Sequence, residues 1–273
     1  MLARNARRLA RIAAHPGAAW TRFSTRLEAR MEYRRKPCVY RSDADWEARL
    51  HERLGVARPC AAAAEFAELW PRVAARVAEL GCRFGPESYY GWNDGDPELV
   101  RAVWCLVRHL CPERVVETGV AHGVTTRFIL EAMERNGAGT LWSIDLPPNG
   151  PQAAAEIGIA VDGCAPQRWH LLQGSSRKLL PPLLAELGAI DLFVHDSLHT
   201  RRHVCFEVET ARRHLRPGGF IVIDDIDTNW GLHTLMAAPR GSRTLVCQSE
   251  PVVPDRRRFD DRGLFAVIET PSA

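Results

Sequence analysis

Four acidic or histidine side chains follow two apolar runs of the sequence and could do chemistry together. The run Leu-Phe-Val-His is followed by Asp196 and His199, and the run Ile-Val-Ile is followed by Asp224 and Asp225. An apolar run that ends in carboxylates places those charges at the mouth of a sheet. Three carboxylates would repel one another there unless a cation lay between them. Because oxygen ligands suit Mg²⁺ and similar cations, we predict a metal site formed by Asp196, Asp224 and Asp225.

His199 is the candidate general base of this group. Histidine can remove a proton near neutral pH with little tuning of its pKa. His195 lies inside the apolar run, and we expect it to be packed and hydrogen-bonded. His122 suits a cofactor contact and a solvent-facing loop equally well. Asp227-Thr228 is typical of a helix start, which leaves open the alternative that some of the aspartates only cap helices.

A glycine turn lies earlier in the chain, within Val-Val-Glu-Thr-Gly-Val-Ala-His-Gly. Glu117 ends a β-branched run, Gly119 and Gly123 form the turn, and a helical pattern follows, which is where α/β sheets hold nucleotide-like ligands. Dinucleotide turns have the pattern G-x-G-x-x-G, but Ala121 occupies the second glycine position here. A carboxylate at Glu117 would repel phosphate and attract a cation. We therefore predict S-adenosylmethionine (SAM), with its ammonium and sulfonium groups, in preference to NAD.

Two further strand ends extend the predicted cofactor site. Asp145 ends the run Leu-Trp-Ser-Ile, where a carboxylate can accept hydrogen bonds from ribose hydroxyls. Gly174, Ser175 and Ser176 follow the next strand and are placed to meet an adenine edge. The alternatives are that Asp145 only fixes a turn and that a serine only caps a helix. Their shared place at the carboxyl ends of successive strands favours the cofactor site.

Strand and helix patterns alternate from residue 114 onwards, which predicts an α/β fold with a doubly wound, mostly parallel sheet of seven strands. The last two strands have no helical pattern between them, so we expect an antiparallel pair at the end of the sheet. Residues 1–97 are predicted to be a helical N-terminal extension, and residues 98–273 the cofactor-binding domain. The predicted strands are 114–118, 140–145, 168–173, 190–195, 219–224, 243–248 and 263–269, and the predicted helices after residue 40 are 44–54, 61–80, 97–110, 123–136, 176–187, 200–215 and 228–238.

The composition limits the classes of partner. The chain has 273 residues, 46% hydrophobic and 25% charged, as is ordinary for a globular protein. A net charge of +3 is too small to indicate nucleic-acid binding. We find no run of about 18 apolar residues and no signal-peptide core, so we expect no membrane span. Residues 1–36 are basic and are predicted to be a solvated helical extension or a contact for a partner or a second copy of the chain. Their Arg-rich, Ala-rich pattern leaves open a transit peptide or a membrane-surface helix.

Eight cysteines are scattered along the sequence without a C-x-x-C pair. This spacing argues against a disulfide framework or a zinc knuckle. We expect buried free thiols in a reducing compartment, which predicts a cytoplasmic location.

On these residues the chain resembles the class I SAM-dependent methyltransferases, over about residues 98–270. Within that class it is similar to the metal-dependent O-methyltransferases. Catechol-type members have a lysine base three positions after the first aspartate and end the next strand in Asp-Asn. This chain has His199 and Asp225 at those two places, so it is closer to the macrolide-sugar type, which has a histidine base and paired aspartates. The segment from Gly174 to Ser176 is similar to the adenine-side motif of the catechol type.

The resemblance implies transfer of a methyl group to a hydroxyl of a small-molecule acceptor, such as a sugar, a phenol or a natural product. It implies a divalent metal, expected to be Mg²⁺, and a histidine base. The aromatic segment 89–92 and the loop 147–162 are predicted to close over the acceptor. Three alternatives remain: a non-catalytic cofactor-binding protein acting through its N-terminal helices, an NAD-linked oxidoreductase, and a metal-dependent hydrolase. The hydrolase would not need Glu117 or Asp145.

Overall fold

The computed structural model describes residues 24–25, 27–32, 34–36, 38–81, 97–146, 157–237, 241–248 and 263–271. The segment 89–92 and most of the loop 147–162, both predicted to close over the acceptor, lie outside these residues. Contacts divide the chain into two compact units, Met1–Lys36 and Pro37–Ala273. In the first unit, residues 24–25 and 27–32 are helical.

The second unit contains a sheet and its covering helices. Three short 3₁₀ segments, Ile159–Val161, Pro166–Arg168 and Ile226–Thr228, lie in its connections. The strands are β1 (Arg114–Thr118), β2 (Thr140–Asp145), β3 (Trp169–Gln173), β4 (Ile190–His195), β5 (Leu215–Ile223), β6 (Arg243–Gln248) and β7 (Leu264–Glu269). The α-helices are α1 (Trp46–Arg53), α2 (Ala61–Glu79), α3 (Pro97–Leu110), α4 (Val124–Asn136), α5 (Ser176–Leu187), α6 (Arg201–Arg212) and α7 (Gly231–Met236).

The seven strands form one sheet in the order β3-β2-β1-β4-β5-β7-β6. Strands β1 to β5 pair in parallel, and β7 pairs antiparallel with both β5 and β6. The predicted doubly wound sheet with a final antiparallel pair is therefore confirmed. The chain reverses its direction of winding between β1 and β4. In open α/β sheets, ligands bind outside the carboxyl ends of the strands at this switch point.

Alternate residues of the buried strands face two separate layers of helices. Leu192 and Val194 of β4 pack with α2, α3 and α4, whereas Phe193 between them packs with α5, α6 and α7. Both faces of the parallel strands are thus covered, as their near-continuous apolar runs predict. Among the described helices, we find none that is long and apolar enough to cross a bilayer.

Two predicted boundaries differ from the structure for local reasons. The helix predicted over 200–215 ends at Arg212, and β5 begins at Leu215 because the segment containing Pro217 pairs with the start of β4 across a register shift. The helix predicted over 228–238 is shorter, since the chain first forms the 3₁₀ segment ending at Thr228. Asn229 Oδ1 then accepts a hydrogen bond from Gly231 N, the first residue of α7, at 2.7 Å.

Candidate functional site

The glycine turn after β1 lies directly against the residue that follows β4. Gly119 has a φ of +85°, and a Cβ at this position would lie 1.8 Å from the backbone oxygen of Asp196. Only glycine satisfies both the left-handed backbone and this close approach. The turn ends at Gly123, which precedes the first turn of α4. The predicted strand, glycine turn and helix N-terminus are therefore formed at the switch point of the sheet.

Asp145 at the end of β2 holds this turn in place. Its Oδ2 accepts hydrogen bonds from the backbone N–H groups of Val120, at 2.7 Å, and Ala121, at 2.9 Å. Burial raises the pKa of Asp145, and the two hydrogen bonds oppose that rise. The turn-fixing role considered from the sequence is thus present. A ribose contact of the same carboxylate stays a prediction, and it would use Oδ1 because Oδ2 already accepts both backbone hydrogen bonds.

Glu117 lies below the turn in the interior, with 1% of its surface exposed. Its Oε2 accepts hydrogen bonds from Thr126 Oγ1 and Ser143 Oγ, both at 2.8 Å. Ser143 in turn accepts a hydrogen bond from Trp169 Nε1 at 3.0 Å. Burial raises the pKa of Glu117 to about 7, with a further contribution from the charge of Asp145 and opposed by the two hydroxyl groups. The carboxyl group therefore exchanges its proton near neutral pH.

The three residues after β3 have different surroundings. Gly174 N donates a hydrogen bond to the backbone oxygen of Asp145 at 2.7 Å, which joins the ends of β3 and β2. Ser175 is half-buried at the N-cap of α5, where its side chain makes no capping hydrogen bond within the described structure. Ser176 is buried, and its Oγ lies 3.1 Å from His203 Nε2. Ser175 is thus the serine whose side chain is left for the predicted adenine contact.

The predicted metal and base residues converge at the carboxyl ends of β4 and β5. One ligand atom from each of Asp196, His199 and Asp224 lies within 4.8 Å of the other two. His199 Nε2 lies 3.7 Å from Asp196 Oδ1 and 3.8 Å from Asp225 Oδ2. Backbone hydrogen bonds from Asp196 N to Thr118 O and from Asp224 N to His195 O hold both aspartates at the edge of the sheet.

His199 is largely enclosed, with 17% of its side chain exposed. Its Nδ1 is buried without a hydrogen-bond partner in the part of the chain that the structure describes. Burial lowers the pKa of His199, opposed by the charge of Asp225, so the uncharged imidazole is favoured. Carboxylates with one imidazole are a ligand set that suits divalent cations such as Mg²⁺ or Mn²⁺. Asp196, His199 and Asp224 could therefore hold a divalent cation, whereas the third predicted ligand, Asp225, does not belong to this group.

A buried carboxylate that the sequence did not single out lies under this cluster. Glu207 is fully buried, and its Oε2 accepts hydrogen bonds from Thr118 Oγ1, at 2.6 Å, and Ser197 Oγ, at 3.0 Å. His195 Nδ1 lies 2.6 Å from the same oxygen, and His203 Nε2 lies 2.8 Å from Oε1. Burial alone would raise the pKa of Glu207, but the two histidines hold it well below its usual range.

His195 is packed and hydrogen-bonded, as the sequence predicted. Its partner Glu207 is indicated in the sequence only by the i, i+4 spacing of His203 and Glu207, which places both on one face of α6. Through Thr118 and His195 this buried cluster ties the end of β1 to the end of β4.

Comparison with known proteins relates part of this chain to methyltransferases. A family model described as a methyltransferase domain matches residues 116–226. This segment contains every residue predicted for the cofactor, the metal and the base. A search of the curated proteins finds no match to this sequence.

Solved structures share the fold at low sequence identity. An O-methyltransferase from Bacillus cereus in complex with SAH is 14% identical, covering 83% of this chain and 98% of that one, with a TM-score of 0.53. The O-methyltransferase TomG from Streptomyces achromogenes, involved in tomaymycin synthesis and solved with SAM, is 17% identical. It covers 64% of this chain and 80% of that one, with a TM-score of 0.50. The sheet topology, the glycine turn at its switch point and the matched family model agree. Residues 116–226 therefore match a methyltransferase domain, and the fold is that of solved O-methyltransferases with SAM or SAH bound.

Proposed function

We propose that this enzyme is an O-methyltransferase that moves the methyl group of SAM to a hydroxyl of a small-molecule acceptor. In this proposal Asp196, Asp224 and Asp225 hold a divalent cation, and His199 is the general base. The observation that carries the proposal is the convergence of Asp196, His199 and Asp224 within 4.8 Å. Gly119 packs against the backbone of Asp196, so this cluster adjoins the turn assigned to the cofactor.

The cofactor side is formed by the ends of β1, β2 and β3. SAM supplies the reactive methyl group on its sulfonium. Glu117 provides a negative charge beneath the glycine turn, and Asp145 holds the turn by two backbone hydrogen bonds. Oδ1 of Asp145 would receive the ribose hydroxyls, and Ser175 would face the adenine edge. These assignments follow from the placement of the side chains at adjoining strand ends.

The acceptor side is formed by the ends of β4 and β5. A divalent cation bound there would hold the acceptor oxygen and lower the pKa of its hydroxyl. Burial of His199 favours its uncharged form, which can take the hydroxyl proton as the methyl group moves. Asp196 and Asp225, each within 4 Å of Nε2, stabilise the imidazolium that results. Holding both reactants at one edge of the sheet supplies the proximity on which transfer depends.

The same geometry favours a second assignment for His199. Its ligand atom belongs to the 4.8 Å group, so His199 could itself coordinate the cation beside Asp196 and Asp224. The two assignments differ in what removal of the imidazole does to metal binding. A lost base leaves the affinity for the metal unchanged, whereas a lost ligand lowers it.

The experiment is calorimetric titration with SAM, with Mg²⁺ and again with excess chelator, followed by turnover on a panel of hydroxylated acceptors. We expect SAM to bind in both conditions, and O-methylated product to form only with the metal. His199→Asn should lower turnover by about 10²–10⁴-fold with SAM affinity near the wild-type value. The metal affinity of His199→Asn then decides whether His199 is the general base or a metal ligand. Asp224→Asn should raise the Mg²⁺ concentration needed for half-maximal turnover.

His214→Asn is the matched control, because the half-buried His214 lies on a turn and its ring Nδ1 donates a hydrogen bond to Gly188 O. It should leave turnover unchanged. Failure to bind SAM in either condition would contradict the methyltransferase assignment for this chain. If chelator does not change turnover, the proposed role of the metal is refuted. If His199→Asn keeps full turnover, His199 is neither the base nor a metal ligand.

The remaining predictions complete the proposal. Residues 1–97 would form an extension that docks to a partner or to a second copy, and residues 98–273 would form the catalytic domain. A cytoplasmic location is part of the same proposal.

A further inference from the structure

A second group of metal-ligating side chains lies among the helices that precede the first strand. Two overlapping sets bring their ligand atoms within 4.8 Å of one another: His51, Cys60 and His109 form the first, and Glu47, His51 and Cys105 the second. His51 belongs to both sets, so the five side chains form one cluster. None of the five belongs to the cofactor or metal site described above.

Three elements contribute to this cluster, which we call the helical cluster. Glu47 and His51 are four residues apart on α1, and Cys105 and His109 are four residues apart on α3. This spacing places each pair on one face of its helix, one turn apart. Cys60 is the extended N-cap residue of α2. The cluster therefore lies where two helices and the start of a third meet.

The contacts inside the helical cluster are close to those of a coordination shell. Cys60 Sγ lies 3.0 Å from His109 Nε2, and the rings of His51 and His109 are 5.8 Å apart, edge to face. The Cys105 thiol is within hydrogen-bonding reach of Cys60. Zinc bonds of about 2.1 Å to nitrogen and about 2.3 Å to sulfur place tetrahedral ligands roughly 3.5 Å apart. The ligand atoms of His51, Cys60 and His109 already lie within 4.8 Å of one another, and Cys105 adjoins them through His51 and Cys60.

His51 is the observation that points to a ligand. Its side chain is 1% exposed, yet neither Nδ1 nor Nε2 has a hydrogen-bond partner among the described residues. Glu47 Oε1 is also buried without a hydrogen-bond partner among the described residues, whereas Glu47 Oε2 lies 3.5 Å from Arg101 Nη2. Buried polar groups are nearly always satisfied, because an unmade hydrogen bond is costly in the interior. A bound ion would satisfy one imidazole nitrogen, and Glu47 could accept a hydrogen bond from the other.

We propose that His51, Cys60 and His109, with Cys105 as the fourth ligand, bind a zinc ion that fixes α1 and the start of α2 to α3. Two thiolates and two neutral imidazoles are a tetrahedral set typical of structural zinc sites. Sulfur ligands disfavour Mg²⁺ and Ca²⁺. Each thiol gives up its proton to solvent on binding. Glu47 is a positioning residue, because a carboxylate behind a ligating histidine fixes its ring and tautomer.

The test begins with the full chain purified without added metal or chelator. We expect about one zinc ion per chain by plasma mass spectrometry, as one tetrahedral site requires. Replacement by Co²⁺ should give sulfur-to-cobalt charge-transfer absorption. That absorption reports thiolate ligands, and the aspartate site at the sheet edge offers only oxygen and nitrogen among the residues described there.

Variants locate the ion. Cys60→Ser and His109→Asn should lower the zinc affinity at least about tenfold, because even the loss of an outer-shell partner lowers metal affinity by about 10–100-fold. Cys38→Ser is the matched control, since Cys38 is 6% exposed against 8% for Cys60 and lies outside the cluster. It should keep its zinc. Circular dichroism checks that each variant is folded, and where one is not, the cobalt spectrum of the wild-type protein decides.

Three results would overturn the proposal. The first is wild-type protein that holds no zinc and takes up none on dialysis against Zn²⁺ under reducing conditions. The second is a cobalt form without sulfur-to-cobalt absorption. The third is zinc that survives Cys60→Ser in a folded protein but is lost in Asp196→Asn.

Discussion

Glu117 should make the stability of this enzyme depend on pH near neutrality. Its pKa is about 7 in the folded protein, against 4.5 for an ordinary glutamate. Between these values the folded state binds the proton more tightly than the unfolded chain. The free energy of unfolding therefore falls as pH rises from about 4.5 through about 7. This difference in pKa corresponds to about 3 kcal/mol of stability, which is fully present below pH 4.5 and fully lost above pH 7.

Glu117→Gln removes the charge and keeps an oxygen that can accept from Thr126 and Ser143. At pH 8 we expect the variant to be more stable than the wild type by up to about 3 kcal/mol, with the difference shrinking towards zero near pH 4.5. Urea unfolding at several pH values between 5 and 8 measures it. Glu186→Gln, on the exposed side of α5, is the control and should show no such trend.

A pH-independent difference between Glu117→Gln and the wild type would refute the assignment of a raised pKa to this carboxyl group. A variant less stable at pH 8 would refute the account of its hydrogen bonds. The same variant also tests the predicted cofactor role. If Glu117 attracts the cationic cofactor, Glu117→Gln binds SAM more weakly although it is the more stable protein.

Three further substitutions test other parts of the site. Gly119→Ala should destabilise the protein in urea by well over the roughly 1–2 kcal/mol expected of Gly137→Ala, because both have positive φ but only Gly119 meets backbone at 1.8 Å. Glu207→Gln should cost about 3–5 kcal/mol at neutral pH. Because the pKa of Glu207 is depressed, wild-type stability should fall as pH drops below about 4.5, and thermal unfolding should show a shallower fall in this variant. Trp169→Phe loses the hydrogen bond to Ser143 and should lower the free energy of unfolding by about 1 kcal/mol, measured by urea unfolding.

The sheet and the strand-end residues could be predicted because they depend on short-range patterns. The runs that form β1, β2, β4 and β6 have the bounds that the sequence predicted. A residue that directly follows such a run must lie at the carboxyl edge of the sheet, which is why Asp196 and Asp224 were found. The final antiparallel pair was predicted from a missing helical pattern. The position of β7 between β5 and β6 was not predicted, because it depends on strand pairing that no local sequence pattern encodes.

The buried clusters could not be predicted, since their members are distant in sequence. Glu207 approaches Thr118 only because α6 packs over β1 and β4. Cys60 approaches His109 only because the start of α2 packs on α3. The described cysteines are free thiols, as the sequence predicted, although Cys111 is exposed and not buried. Spacing along the chain does not reveal ligands supplied by separate helices.

The contact between Gly119 and Asp196 has a mechanical consequence. The two backbones touch with no side chain between them, so no rotamer change can absorb a displacement of either one. Thr118 and His195, one residue earlier on each strand, are joined beneath this contact through Glu207. A ligand that shifts the glycine turn must therefore shift Asp196 by a similar amount. We therefore expect a cofactor bound at the glycine turn to displace the backbone of Asp196 as well.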